Sequence, residues 1–286
     1  MPHDLEVLNR EAEQIVMDIG IPPCPAILTK LVRYMRDDEP DYPRIGQLII
    51  GDVSLSAAVL KTVNSPFFGL NAKATSVPQA LTLLGLRNVA QLVTGLLLRQ
   101  AFPCGDSKTM ERFWETSSNV ALISSWLAPR VHGVGRDDAY TFGLFRDCGI
   151  PALLLKFADY PKTLAAARGD DAKRLAELEV ENYGIDHPQV GHYLAKSWYL
   201  PEPTCLAILC HHEYLQLAGE HTELTAASLK LIALGRVAEH LFKSHCDDPP
   251  SADWRLGGEF ALGWLGFSDA DLVTFAQEMH SILARH

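Results

Sequence analysis

Apolar residues recur along this chain at helical rather than alternating spacing, and no segment reads as a convincing strand. Leu5, Leu8, Ile15 and Val16 stand among charges over residues 4–18, one side apolar and the other wet. Pro25 follows the break Pro22-Pro23-Cys24 and suits the first turn of a helix bearing Ile27, Leu28, Leu31, Val32 and Met35. Pro40 and Pro43 punctuate, Ile45, Leu48 and Ile49 mark a short helix, and Ser54 is the expected cap of another carrying Leu55, Ala58, Val59, Thr62 and Val63. Asn64-Ser65-Pro66-Phe67-Phe68-Gly69 has the chemistry of a turn with two aromatics inserted. Ser76 and Gln79 have the form of a capping box opening a helix to Leu84, and Gly85 separates it from a mostly apolar helix to Phe102.

Pro103-Cys104-Gly105-Asp106 interrupts the pattern and marks the expected boundary between a helical unit at 1–105 and a second at 106–286. The second unit predicts a helix from Ser107 or Asp106 to about Leu127, then one capped by Asp137 or Asp138 and disturbed by Gly149 and Pro151. A polar connector around Gly169-Asp170-Asp171 leads to a helix ending at Tyr183-Gly184. Further helices are expected at 187–198, 202–213 and 224–243, then a tail with Gly-containing turns and a last helix at 269–284. The fold class is all-α, a two-part helical bundle with an N-terminal subdomain, a second helical domain and a C-terminal helical extension.

Composition narrows the function classes. Hydrophobic residues make up 48% and charged residues 21% of 286, which is ordinary globular usage. The net charge of −10 disfavours nucleic acid and anionic membrane as partners. The six cysteines (Cys24, Cys104, Cys148, Cys205, Cys210 and Cys246) include no C-x-x-C pair and read as small buried hydrophobes in a reducing compartment. The start of the chain has no basic-then-apolar signal, and the greasy run Leu92–Leu98 is too short to span a bilayer, so the expected location is the cytoplasm. Trp114, Trp126, Trp198, Trp254 and Trp264 are expected to anchor the core.

Candidate chemistry gathers in the second unit. Asp147, His187, His211 and His212 are of the types that hold a hydrolytic zinc, iron or manganese ion, yet residues of these types also serve as satisfied helix-end groups. Ser65 and Ser124-Ser125 lack the setting of a nucleophile elbow, and no phosphate-cradling Gly-rich loop is present. Asn64, Ser65, Phe67 and Phe68 form either a partner-binding rim or a plug for the N-terminal core.

Several of these segments, taken together and in order, resemble the HDOD family. They are Ile21-Pro22-Pro23 with Pro25, Ile50-Gly51-Asp52-Val53-Ser54-Leu55, Val63 to Gly69, Thr75-Ser76-Val77 and Ala80 to Leu86. Phe113-Trp114, Gly143-Leu144, Asp186-His187-Pro188 with Gly191, Trp198 to Pro201 and His211-His212 continue the match over about residues 20–245. The resemblance implies a signalling module related to the HD phosphohydrolases, which bind metal through a His, a His-Asp doublet and a later Asp. Here the first His position reads Thr116, the doublet reads Arg146-Asp147, and the later Asp position reads Gly235. His187, His211 and His212 resemble the additional histidines of HD-GYP phosphodiesterases, whose Gly-Tyr-Pro signature is absent.

Thr116 is a poor ligand, Gly235 offers none, and the Arg146 guanidinium repels a divalent cation. The resemblance therefore implies a pseudoenzyme with no catalytic residue and no cofactor beyond a weak or adventitious divalent metal on the vestigial Asp147, His187, His211 and His212. Arg146 is expected to pair with Asp147 in the place of the ion. Family members accompany receiver, diguanylate cyclase or cyclic-dinucleotide phosphodiesterase domains, so the implied partners are signalling proteins in trans, such as cyclic-dinucleotide enzymes or sensor kinases. The alternative is a metal-dependent phosphohydrolase acting on a nucleotide or cyclic dinucleotide.

Overall fold

The computed structural model describes residues 18–35, 41–70, 72–102, 107–167, 174–214 and 224–283, and all regular structure among them is helical. Residues 4–17 of the predicted N-terminal segment at 4–18, the Pro103–Asp106 boundary and the connector at 169–171 lie outside the described residues.

The first group of helices is α1 (Ala26–Met35), α2 (Tyr42–Ile50), α3 (Val53–Val63), α4 (Val77–Leu84) and α5 (Leu86–Ala101). Asp41 caps α2 by accepting from the Arg44 N–H at 3.0 Å. The cap of α3 is Asp52, not Ser54: its carboxylate accepts from the Leu55 N–H at 2.9 Å, so the helix begins two residues earlier than the spacing suggested. Ser76 caps α4 through the Gln79 N–H, and Gly85, at φ +79°, turns the chain between α4 and α5. Between α3 and α4, Pro66–Phe68 forms a single 3₁₀ turn closed by Gly69 in the left-handed conformation. Phe67 and Phe68 are buried, so of the two sequence readings the core plug matches their position. The Asn64 amide donates to the Ala74 carbonyl and accepts from the Ala74 N–H, both at 2.8 Å, and clips the loop to the end of α3.

The second group is α6 (Lys108–Leu127), α7 (Arg136–Phe145), α8 (Gly149–Lys156), α9 (Tyr160–Ala166), α10 (Leu175–Tyr183), α11 (His187–Ser197), α12 (Glu202–Cys210), α13 (Ala226–His245), α14 (Ala252–Leu265) and α15 (Asp269–Leu283). Ser107 caps α6 as expected. Gly135, rather than Asp137 or Asp138, stands at the cap of α7, and the two aspartates occupy its first turn where they favour the positive end of the helix dipole. Helix α14 occupies a stretch whose glycines read as turns; Ser251 caps it, and a Cβ at Gly257 would lie 2.7 Å from the Tyr214 ring, so the missing side chain admits a close packing contact.

Helix α13 is the centre of the second group and packs on α6, α7, α12, α14 and α15, while α7 also packs on α5 and joins the two groups. Buried apolar residues from Ile19 to Met279 form one continuous cluster. Trp114 and Trp198 are fully buried in it; Trp126 and Trp254 are half-buried, and Trp264 is 36% exposed and anchors nothing deep. Among the cysteines, Cys148 and Cys205 are buried, Cys24 and Cys210 partly so, and Cys246 is exposed at the end of α13, against the expectation of uniform burial; Cys104 is outside the described residues. No single helix among the described residues is long and apolar enough to cross a membrane.

Candidate functional site

The site lies where α7, α10, α11, α12, α13 and α14 present their polar residues to one another. Helix α7 ends at Phe145 and delivers Arg146 and Asp147 as consecutive residues past its last turn. The chain then starts α8 at Gly149, where a Cβ would lie 2.1 Å from the His187 carbonyl oxygen, so only glycine lets the start of α8 meet the start of α11. Asp186 caps α11 with a reciprocal Gln189 capping box, which places His187 in the first helical position. His211 and His212 follow the last turn of α12, and the His211 Nδ1 sits 2.7 Å from the Ile208 carbonyl.

Four predicted candidates converge. The His211 Nε2 is 3.1 Å from Asp147 Oδ1, the His187 Nε2 is 3.6 Å from the same oxygen, and the Nε2 atoms of His187 and His212 are 3.0 Å apart. One ligand-type atom from each of Asp147, His187, His211 and His212 lies within 4.8 Å of all the others. The three imidazoles are buried.

Arg146 pairs with Asp147, at 3.0 Å from Nη2 to Oδ2. Its Nη1 donates to the Gly235 carbonyl at 3.2 Å and to Glu239 Oε2 at 3.1 Å. At Gly235 a Cβ would come within 2.7 Å of the Phe142 ring and 3.7 Å of the Arg146 side chain, so the space that a ligand side chain would need is filled. Thr116 is half-buried on α6, whose buried face consists of Trp114, Ser117, Val120, Ala121 and Ser124 instead. Asn64, Ser65, Phe67 and Phe68 belong to the 3₁₀ turn region that packs on α6 and α15.

Sequence reasoning missed the groups that surround this set. Glu179 on α10 is completely buried; one oxygen accepts from the Tyr160 hydroxyl and the other from the His187 backbone N–H at 2.8 Å and the His187 Nδ1 at 2.7 Å. Asp253 on α14 lies 3.1 Å from the His212 Nδ1. Arg236 donates to Glu239 at 2.6 Å with its guanidinium 4.9 Å over the Tyr214 ring, and Lys243 reaches the other Glu239 oxygen at 2.8 Å. Arg174 donates to the His212 carbonyl at 2.9 Å. A charged pair three apart in the apolar run of α13, Arg236 and Glu239, was a usable signal; nothing around Glu179 or Asp253 marked them.

The electrostatics follow from this arrangement. Burial alone would raise Asp147, but the Arg146 guanidinium beside it holds its carboxyl well below the usual range. Glu239 is likewise held down against burial by Arg146, Lys243 and Arg236. Burial disfavours a charged His187, yet the Glu179 and Asp147 carboxylates outweigh it and push the imidazole up to about 10. His211 is pulled down to about 3 by burial and by His212 at its side. Fixed cations at Arg146, Arg236 and Lys243 face four carboxylates at Asp147, Glu179, Glu239 and Asp253, so the cluster wants at least one further positive charge.

The model of the HDOD domain matches residues 21–214. The chain belongs to the HDOD domain family. The HDOD region contains Arg146, Asp147, His187, His211 and His212, whereas Gly235, Arg236, Glu239 and Asp253 come from α13 and α14 beyond it. An uncharacterised protein of Treponema pallidum (strain Nichols) is 26% identical over 208 residues, which is 71% of this chain and 40% of that relative; this HDOD chain thus matches less than half of the relative's length. The crystal structure of an HDOD domain protein of unknown function from Geobacter sulfurreducens superposes with a TM-score of 0.73 at 21% identity, covering 98% of this chain and 96% of that one. The structure of a candidate phosphohydrolase from Shewanella amazonensis SB2B gives 0.71 at 21% identity, covering 95% and 93%. At these identities both share the HDOD fold.

Proposed function

We propose that the chain is a non-catalytic signal-transduction module of the cytoplasm that acts by protein or ligand binding, with other signalling proteins as its partners. The observation that carries this reading is the Arg146 guanidinium, which holds Asp147, Glu239 and the Gly235 carbonyl together at the position where the resemblance to HD phosphohydrolases implies an ion. A permanent cation there repels a second one, and the Asp147 oxygen that it occupies is not free to bridge two ions. Hydrolysis of a phosphodiester by a two-ion centre needs both ions to stabilise the attacking and leaving oxygens. With the space at Gly235 closed by Phe142, that position supplies no ligand to a second ion, and the nearby Glu239 carboxylate is already held by Arg146, Arg236 and Lys243.

The second reading, a metal-dependent phosphohydrolase, is favoured by the convergence of Asp147, His187, His211 and His212. Turnover separates the two. The full chain, supplied in turn with manganese, zinc and iron(II), is assayed on bis(p-nitrophenyl) phosphate and on a cyclic dinucleotide. The binding-module reading predicts no turnover above that of His211→Ala; turnover that His211→Ala abolishes would establish the enzyme. Co-purification from the native cell then identifies the partner.

A further inference from the structure

Each histidine of the cluster has its Nδ1 committed to an acceptor: His187 to the Glu179 carboxylate, His211 to the Ile208 carbonyl and His212 to the Asp253 carboxylate. A nitrogen facing such an acceptor carries the proton, so in the neutral ring the Nε2 is an unprotonated lone pair. With all three rings neutral, three lone pairs would therefore point inward, meeting one another and an oxygen of Asp147 at 3.0, 3.1 and 3.6 Å. Contacts between acceptors are repulsive unless something positive stands between them. One added proton on His187 relieves its contacts with His212 and Asp147 and leaves the one between His211 and Asp147. The His211–Asp147 contact demands a second, on a ring whose centroid is 4.0 Å from His212 and 5.5 Å from His187.

A single divalent ion relieves all of these contacts together. We propose that Asp147, His187, His211 and His212 bind one first-row transition ion, zinc or iron(II), with Glu179, Ile208 and Asp253 orienting the three imidazoles from behind. Imidazole with one carboxylate suits these ions, and orientation of each ligating ring through its other nitrogen is how protein metal sites fix the tautomer. Bonds of about 2.0–2.2 Å to a tetrahedral ion separate its ligand atoms by roughly 3.2–3.6 Å, close to the three spacings above, in a set whose members all lie within 4.8 Å of one another. Asp147 divides its work: Oδ1 faces the histidines, and Oδ2 stays with Arg146. The site ties the end of α7, the start of α11 and the end of α12 into one unit. The ion's availability thereby becomes an input to the module's shape. This inference runs against the sequence expectation that the cluster holds no more than an adventitious metal. It does not depend on the binding-module reading, since it concerns metal content and not turnover.

The test uses the full chain purified without chelator. Metal content is measured by plasma mass spectrometry, and the stripped protein is titrated with cobalt(II), whose visible absorption reports four-coordinate binding. The expected result is one ion per chain in the wild type and in the controls His192→Ala and His132→Ala, and none in His211→Ala. Asp253→Asn, which removes the negative charge behind His212 and its 3.7 Å ion pair with Arg236, is expected to weaken cobalt binding by about 10–100-fold while circular dichroism remains helical. Folded wild type that takes up no ion, or a folded Asp253→Asn that binds as tightly as wild type, overturns the proposal. Bound ion without turnover leaves both readings standing, bound ion with turnover overturns only the non-catalytic one, and neither ion nor turnover overturns only the metal site.

Discussion

The two helical groups of this chain are held together by different physics. Around α2 to α5, contacts are almost wholly apolar: Ile45, Ile49, Leu55, Val59, Val63 and Val89 are fully buried, and the main polar device is the Asn64 clip on Ala74. Around α7 and α10 to α14, the core contains Arg146, Glu179, His187, His211, Arg236 and Glu239, all buried. Apolar packing tolerates any partner of suitable volume, whereas a buried charge tolerates only its own counter-charge. The first group is thus a scaffold, and the second carries a specific constellation whose members depend on one another.

That contrast can be broken by substitution. Arg146→Ala leaves the partly buried Asp147 and the buried Glu239 beside one another without their shared cation, and is expected to cost about 3–5 kcal/mol in denaturant unfolding. In the scaffold, Leu55→Ala is expected to cost about 2–5 kcal/mol from lost burial and the cavity left behind. The two differ in kind: the Leu55→Ala loss should be the same at pH 7 and pH 4, while the Arg146→Ala loss should shrink as the carboxylates protonate. Asn64→Ala strands the Ala74 N–H and carbonyl and is expected to cost about 1–3 kcal/mol. Equal pH dependence of the two larger losses would abolish the distinction between the regions.

A smaller effect sharpens it further. Glu239 is held below its ordinary value of 4.5, so the stability it contributes is present above that value and lost as the pH falls through the lower, folded-state value. Thermal unfolding from pH 6 to pH 3 should show wild type losing more stability than Glu239→Gln, which has no such proton to take up. A steeper acid loss in Glu239→Gln would contradict the assignment of Glu239 to the buried network.

The same contrast explains what could be read from the sequence. The scaffold helices were legible because their burial is periodic, and periodicity is local: Leu55, Val59 and Val63 fall on one face whatever packs against them. Cap positions slipped where two polar residues competed, as with Asp52 and Ser54, because the spacing of the apolar face leaves the first turn undetermined. Helix α14 escaped because glycines normally mark turns, whereas here Gly257 makes room for Tyr214 from a distant segment. At the site, Asp147, His187, His211 and His212 were legible as residue types, and the Arg146–Asp147 ion pair was foreseen and is present. Glu179 and Asp253 were not, since a carboxylate acquires its role from what the tertiary fold places opposite it, and Glu239 was marked only by its spacing from Arg236. His187 and Glu179 are eight residues apart across a helix junction, and His212 and Asp253 are 41 apart.

In the proposed reading Arg146, bonded to Asp147 and Glu239, stands where a second ion would otherwise sit. The most direct test of that reading is the anomalous scattering of crystals of the full chain soaked with manganese or zinc. The prediction is that the Arg146 guanidinium remains bonded to Asp147 Oδ2 and Glu239 Oε2, with at most one ion, on the histidine side of Asp147. Two ions bridged by Asp147, with Arg146 displaced from the cluster, would contradict it.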